Sequence, residues 1–195
     1  MSGLAKHGRW NDLLRRAAGN RWAWVGVLSG LLVVIWAGPD AARWVWHAGD
    51  AHRIEQYAPL MREHADAAGL DLALVRAVVM AESSGRADAL SPADAKGLMQ
   101  ITAITEQDVL QRNPDLKRGD LFDPDYNLKV GTTYLGYLLR RFDGDEMLAL
   151  AAYHMGPTRV RRIQREHPGI TPQQLVADHA GPKTRAYVNR VLSER

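Results

Sequence analysis

A chain of 195 residues that is 46% hydrophobic and 24% charged has the composition of a folded protein, with room for one domain and an appendage. Its net charge of +3 is uneven: residues 1–39 carry five basic side chains (Lys6, Arg9, Arg15, Arg16, Arg21) against Asp12, which leaves 20 basic against 21 acidic beyond and makes the bulk a poor match for nucleic acid. Without cysteine there are no disulfides, which suits an oxidising compartment and equally the cytoplasm.

The first predicted element is residues 22–38, WAWVGVLSGLLVVIWAG, a run without a charge. As a helix it extends about 26 Å at ~1.5 Å per residue, close to the apolar thickness of a bilayer. Trp22, Trp24 and Trp36 lie toward its ends, where interfacial anchors sit, and the basic tail of residues 1–21 precedes it. The positive-inside rule then puts the tail in the cytoplasm and everything after residue 38 across the membrane. A cleaved leader fits less well, because cutting after Gly38 leaves Trp36 where a small residue is needed and Pro39 next to the cut. A buried core helix fits least, since the run is apolar all round. Residues 39–53, with Trp44 and Trp46, form a short juxtamembrane connector.

From residue 54 onward the periodicity is helical, with helices expected near 56–68, 72–84, 100–112, 125–142, 145–155, 157–166, 171–178 and 182–194. The second has Asp71 as its N-cap, Val75, Val79 and Glu82 on one stripe, and Gly85 just past its end. A carboxyl on an apolar stripe at a helix C-terminus resists ionisation through desolvation and the helix dipole, which suits a general acid. The competing reading is a solvated Glu neutralised by Arg86. Asp88 and Asp94 follow in a turn-rich stretch where Asp is a common turn residue. On the 125–142 helix, Thr133, Tyr137 and Arg140 share one face, whereas Tyr134, Leu138 and Phe142 on another read as packing. Arg159, Arg161, Arg162 and Arg165 form a basic run read as a solvated face or as a contact for acidic peptides. The seven histidines are scattered without metal spacing, His64 reading as a partly buried surface histidine rather than a ligand, and there is no phosphate-binding glycine loop.

Several segments recur in the order of one family: ESSGRADALSPADAKGLMQIT, DLFDPDYNLKVGTTYLGYLLRRF, ALAAYHMGPTRVRR and TRAYVNRVL. Together they resemble the soluble-lytic-transglycosylase (SLT) domain, with its Glu-Ser pair, Gly-Leu-Met-Gln motif, Asp-Pro-x-x-Asn helix start, Ala-Tyr-Asn-Ala-Gly-Pro motif and closing Tyr-Val helix. The resemblance covers residues 54–195 and implies an all-α, lysozyme-like domain behind a single transmembrane helix. It implies Glu82 as the one catalytic acid/base, Ser91 and Tyr153 as its supporting residues, and Met99, Gln100, His154, Tyr187 and Ser83 as positions that contact substrate. Ser83 reads as a structural hydroxyl at the helix end rather than a reactive group, and Tyr187 reads equally as an aromatic packing the last helix. Two positions depart from the pattern: His154, with Met155 after it, stands where the family has Asn, and Lys183 where it has Glu.

The implied substrate is the glycan of peptidoglycan, cut without water to a 1,6-anhydro-muramoyl end and needing no cofactor or metal. Tyr126, Tyr134, Tyr137 and Tyr153 join Gln100 as candidates for holding sugar rings. The implied setting is the bacterial inner membrane, single-pass, with the catalytic domain in the periplasm. A hydrolytic muramidase and a non-catalytic glycan-binding scaffold remain open at this level. Oligomeric state, endolytic or exolytic cutting and the process served have no sequence signature.

Overall fold

The computed structural model describes residues 52–195. The tail, the expected anchor at 22–38 and almost all of the connector lie outside the described residues, and among those described no helix is long and apolar enough to cross a membrane. The described chain is helical, with no strand and only two isolated bridges, Leu90 to Lys96 and Lys96 to Ile101.

The helices are α1 Ala58–Ala68, α2 Leu72–Ser83, α3 Ala103–Arg112, α4 Pro124–Arg141, α5 Glu146–Met155, α6 Pro157–Glu166, the short α7 Pro172–Gln174 and α8 Pro182–Ser193. Local chemistry sets their starts. The side chains of Asp71, Thr102, Asp123 and Asp145 each accept a backbone N–H of the first turn of α2, α3, α4 and α5, and Pro124 takes a position where no N–H is needed. Three expectations shift. The helix expected from residue 56 begins at Ala58, after helical residues 52–55 and a turn at 56 and 57. The helix expected from residue 100 begins at Ala103, because Gln100 is left-handed (φ +49°), Ile101 bridges Lys96 and Thr102 is the cap. The segment expected at 171–178 is one short turn closed by a Thr171–Gln174 capping box, continuing as a π-helical turn over Leu175–His179.

At the centre lies α4. Its Leu128, Val130, Thr132, Leu135 and Leu138 are buried, and it packs against α1, α3 and α5, while α8 packs on α2 and α5. Gly131 lets the 96–101 loop press onto α4, since a Cβ there would lie 2.3 Å from the Met99 sulfur. Two polar pairs pin the periphery. His64 meets Asp125 at 2.8 Å between α1 and α4, and buried Glu106 on α3 accepts from Arg118 and, at 2.8 Å, from the Tyr126 hydroxyl. The Glu106 carboxyl is thus satisfied inside the fold.

Candidate active site

Glu82 sits in the last turn of α2, which ends as Ser84 (φ +53°) and Gly85 (φ +74°) turn left-handed. It lies on the wall of a cleft of about 280 Å³ with Ser91, Gln100, Thr102, Thr105, Tyr134, Tyr153 and His154, and among the described residues no other acid lines that wall. Burial raises its pKa from the ordinary 4.5 to about 7, opposed by the Tyr187 hydroxyl and the positive charge of Arg190. The competing reading, neutralisation by Arg86, does not hold; Arg86 is exposed and donates to the Ser83 carbonyl, while Arg190 reaches over from α8 and donates to the Ala81 carbonyl at 3.3 Å. Asp88 and Asp94 are exposed and off the cleft, Asp94 pairing with Lys96 at 3.4 Å.

The loop after α2 is folded by its own backbone and by one asparagine. Ser91 lines the cleft with its Oγ accepting the N–H groups of Ala93 (3.2 Å) and Ala95 (3.0 Å). Gln100 donates its amide to the carbonyls of Ala89 and Gly97, so it is held rigidly at the wall. Gly97 needs to be glycine: its φ is +73°, and a Cβ would lie 2.4 Å from both Asn127 Nδ2 and the Leu121 carbonyl oxygen. Asn127, fully buried on α4, accepts the Met99 N–H and donates to the carbonyls of Lys96 and Leu121, all at 2.8 Å. Asn127 is not among the site residues expected from the sequence, yet it fixes the loop that carries Gln100. Its signal was present in the Asp-Pro-x-x-Asn spacing, which puts the Asn one turn after the Asp123 cap on the inward face of α4.

The other side is formed by α5 and α8. Tyr153 donates its hydroxyl to the Met99 carbonyl at 2.8 Å, and its ring lies tilted against Tyr134 with centroids 5.6 Å apart. Tyr187 is buried with its hydroxyl close enough to favour the Glu82 anion, though no partner meets hydrogen-bond geometry. Burial and the neighbouring Glu82 hold that phenol well above its usual pKa, so it stays a neutral donor. His154 puts its ring 4.8 Å from Tyr187 and its Nδ1 3.0 Å from Thr184 Oγ1, which ties the end of α5 to α8.

Two expected substrate contacts are corrected. The Met99 side chain is fully buried against Gly131, because the loop turns it into the core; only its carbonyl serves the site, by holding Tyr153. Ser83 is buried away from the cleft and donates to the Val79 carbonyl at 3.2 Å, the usual back-bond of a hydroxyl within a helix. Glu82, Ser91, Gln100, Tyr153 and His154 are brought together on the cleft wall, with Tyr187 behind Glu82. Tyr134 both packs and lines the cleft, whereas Tyr126 and Tyr137 do not reach it.

The family model described as "Transglycosylase SLT domain" matches residues 59–175. Among curated relatives, the soluble lytic murein transglycosylase of Salmonella typhimurium is 35% identical over 121 residues, covering 60% of this chain and 19% of the relative. Membrane-bound lytic murein transglycosylase C of Pectobacterium atrosepticum is 29% identical over 164 residues, covering 72% and 46%. The crystal structure of the 70 kDa soluble lytic transglycosylase of Escherichia coli superimposes with a TM-score of 0.66 at 29% identity, covering 71% of this chain and 23% of that one. The chain thus spans less than half the length of these relatives.

Proposed function

Because the chain belongs to the SLT-domain transglycosylase family, we propose that it is a peptidoglycan lytic transglycosylase with Glu82 as its single acid/base. The observation that carries this is the lone cleft carboxyl, raised to about 7 by burial, on a wall with no second acid. Retaining and inverting hydrolases use two carboxyls about 5 to 9.5 Å apart across the bond. One carboxyl near neutrality is populated in both forms at working pH and serves twice. Protonated, it delivers its proton to the glycosidic oxygen as that oxygen leaves C1 of the muramoyl sugar. Ionised, it takes the proton of the C6 hydroxyl of the same sugar, whose oxygen closes onto C1. The product is a 1,6-anhydro ring, the carboxyl is restored to its acid form, and no water is consumed. Gln100, His154 and Tyr134 supply polar and aromatic wall for the sugars, and Ser91 and Tyr153 hold the loop and the α5 side in register.

Mass spectrometry of muropeptides released from purified sacculi decides between this reaction and hydrolysis. Anhydro-muramoyl ends are expected, and reducing ends alone would make the protein a muramidase.

The N-terminal segment is proposed as a retained inner-membrane anchor, with the tail in the cytoplasm and the catalytic domain in the periplasm; the apolar run at 22–38 and the basic tail support it. A reporter active only outside the cytoplasm is expected to work when fused after Arg195, with the protein in the membrane fraction at nearly full mass. A soluble product lacking the first 38 to 42 residues would replace the anchor with a cleaved leader.

His154 gives the reaction a pH signature. Burial and Lys183 hold its pKa below the ordinary 6.5, so the ring is neutral at pH 7 and titrates in more acidic solution. Protonation there adds positive charge beside Tyr187 and the Glu82 cleft, which opposes the oxocarbenium-like transition state and makes the Glu82 carboxylate a weaker base for the second proton transfer. Turnover is expected to fall on an acidic limb below pH 6.5, and His154→Asn, which keeps a donor and an acceptor but does not titrate, is expected to remove that limb. Superimposable pH profiles for the two proteins would reduce His154 to a packing residue.

A further inference from the structure

Tyr134 is common to the Glu82 cleft and to a second cavity of about 260 Å³ between α3 and α4, walled by Arg112, Asn113, Thr133, Tyr137 and Arg140. A row of rings joins the two, Tyr153 to Tyr134 at 5.6 Å and Tyr134 to Tyr137 at 6.3 Å. The second cavity has two guanidiniums on its wall and no carboxylate.

Its groups divide into fixed and free. Arg112 is held by both oxygens of Asp108 (2.9 and 3.1 Å) and lies over the Tyr137 ring at 4.1 Å, and Arg141 donates to the Tyr137 hydroxyl at 2.9 Å. These contacts hold the Tyr137 ring in place. Arg140 is exposed and has no acidic partner among the described residues, and the Thr133 hydroxyl makes no hydrogen bond to them. Asn113 donates its amide N–H to the Val109 carbonyl at 2.7 Å, which leaves its side-chain oxygen to accept. A free guanidinium with a hydroxyl and an amide oxygen matches a carboxylate next to a peptide N–H, and an uncharged sugar would leave the guanidinium unused.

We propose that this cavity binds a carboxylate of the peptide borne by the glycan strand seated in the Glu82 cleft, with Arg140 and Thr133 on the carboxylate and Asn113 on a peptide N–H. The inference rests on the peptidoglycan reading above and adds the part of the substrate that is not sugar. On the exposed basic face of α6, by contrast, Arg162 pairs with Glu166 at 3.7 Å.

The test compares two substrates with the purified full-length chain: glycan strands with native peptides, and the same strands with the peptide carboxylates converted to primary amides. Wild type is expected to favour the native strands in kcat/KM. Arg140→Gln is expected to lower the native-to-amidated ratio about tenfold, the low end for one charge-assisted hydrogen bond at an exposed site, and Arg140→Lys to restore part of it. Arg165→Gln removes the same charge from α6 and is expected to leave the ratio where it was. A wild-type ratio near one, or a ratio untouched by Arg140→Gln, overturns the proposal. If wild type cleaves neither substrate, the transglycosylase reading fails, and calorimetric binding of native and amidated disaccharide-peptides still decides the cavity by the same ratio.

Discussion

Glu82→Gln is expected to abolish release of anhydro-muropeptides, by about 10²- to 10⁴-fold or more, while leaving the fold intact. The amide has nearly the same shape as the acid but neither gives nor takes the proton. Asp88→Asn and Asp94→Asn are expected to stay active, because both side chains are exposed and off the cleft. Near-normal turnover by Glu82→Gln, or collapse in either Asp variant, would sink the single-carboxyl mechanism. The same variant carries a stability signature. A carboxyl with a pKa of 4.5 unfolded and about 7 folded binds more protons in the native state between those pH values, so native stability falls as pH rises through that window. The loss reaches about 3 kcal/mol above pH 7. Glu82→Gln removes it, so the variant is expected to be more stable than wild type at pH 8 and to lose that advantage near pH 4. Denaturant titrations at the two pH values measure this, and a difference that does not change with pH would show that Glu82 is not desolvated as described.

Asn127→Ala is the substitution expected to cost most stability, on the order of 3–5 kcal/mol. It strands the Met99 N–H and the carbonyls of Lys96 and Leu121, three backbone groups in the interior, and leaves a void beneath the loop. Each buried unsatisfied group costs about 1–3 kcal/mol, with some of that recovered by relaxation or an entering water. Because that loop presents Gln100 and, through the Met99 carbonyl, positions Tyr153, activity at a temperature where the variant remains folded is expected to drop as well. Urea unfolding and turnover measured on the same preparation test both. A loss under 1 kcal/mol would mean that the loop is held by its own turns and by Gly97.

What the sequence by itself determined was whatever depends on short-range pattern. Caps at Asp71, Asp123 and Asp145 and the spacing of apolar residues define α2, α4 and α5 almost to the residue, since a capping side chain and its N–H partners lie within one turn. The apolar stripe ending in Glu82 pointed to a desolvated acid for the same reason. How far its pKa rises was not readable there, because burial by the packed fold drives it up and Tyr187 and Arg190, on α8 more than a hundred residues away, hold it back to about 7. Only the tertiary structure decided that Arg190 rather than Arg86 faces Glu82 and that Met99 faces the core. The Met99 outcome depends on a left-handed Gln100, on the gap at Gly131 and on the clamp of Asn127, none of which a local pattern specifies. The start of α3 lies later than expected for that reason: Gln100 is left-handed, Ile101 is bridged to Lys96 and Thr102 is the cap, so the helix opens at Ala103. The cavity at Arg140 belongs with these, because Arg112 and Asn113 at the end of α3 meet Thr133, Tyr137 and Arg140 only when α3 packs on α4. Side-chain periodicity sets which face a helix buries; what that face meets is settled by packing between segments distant in the chain.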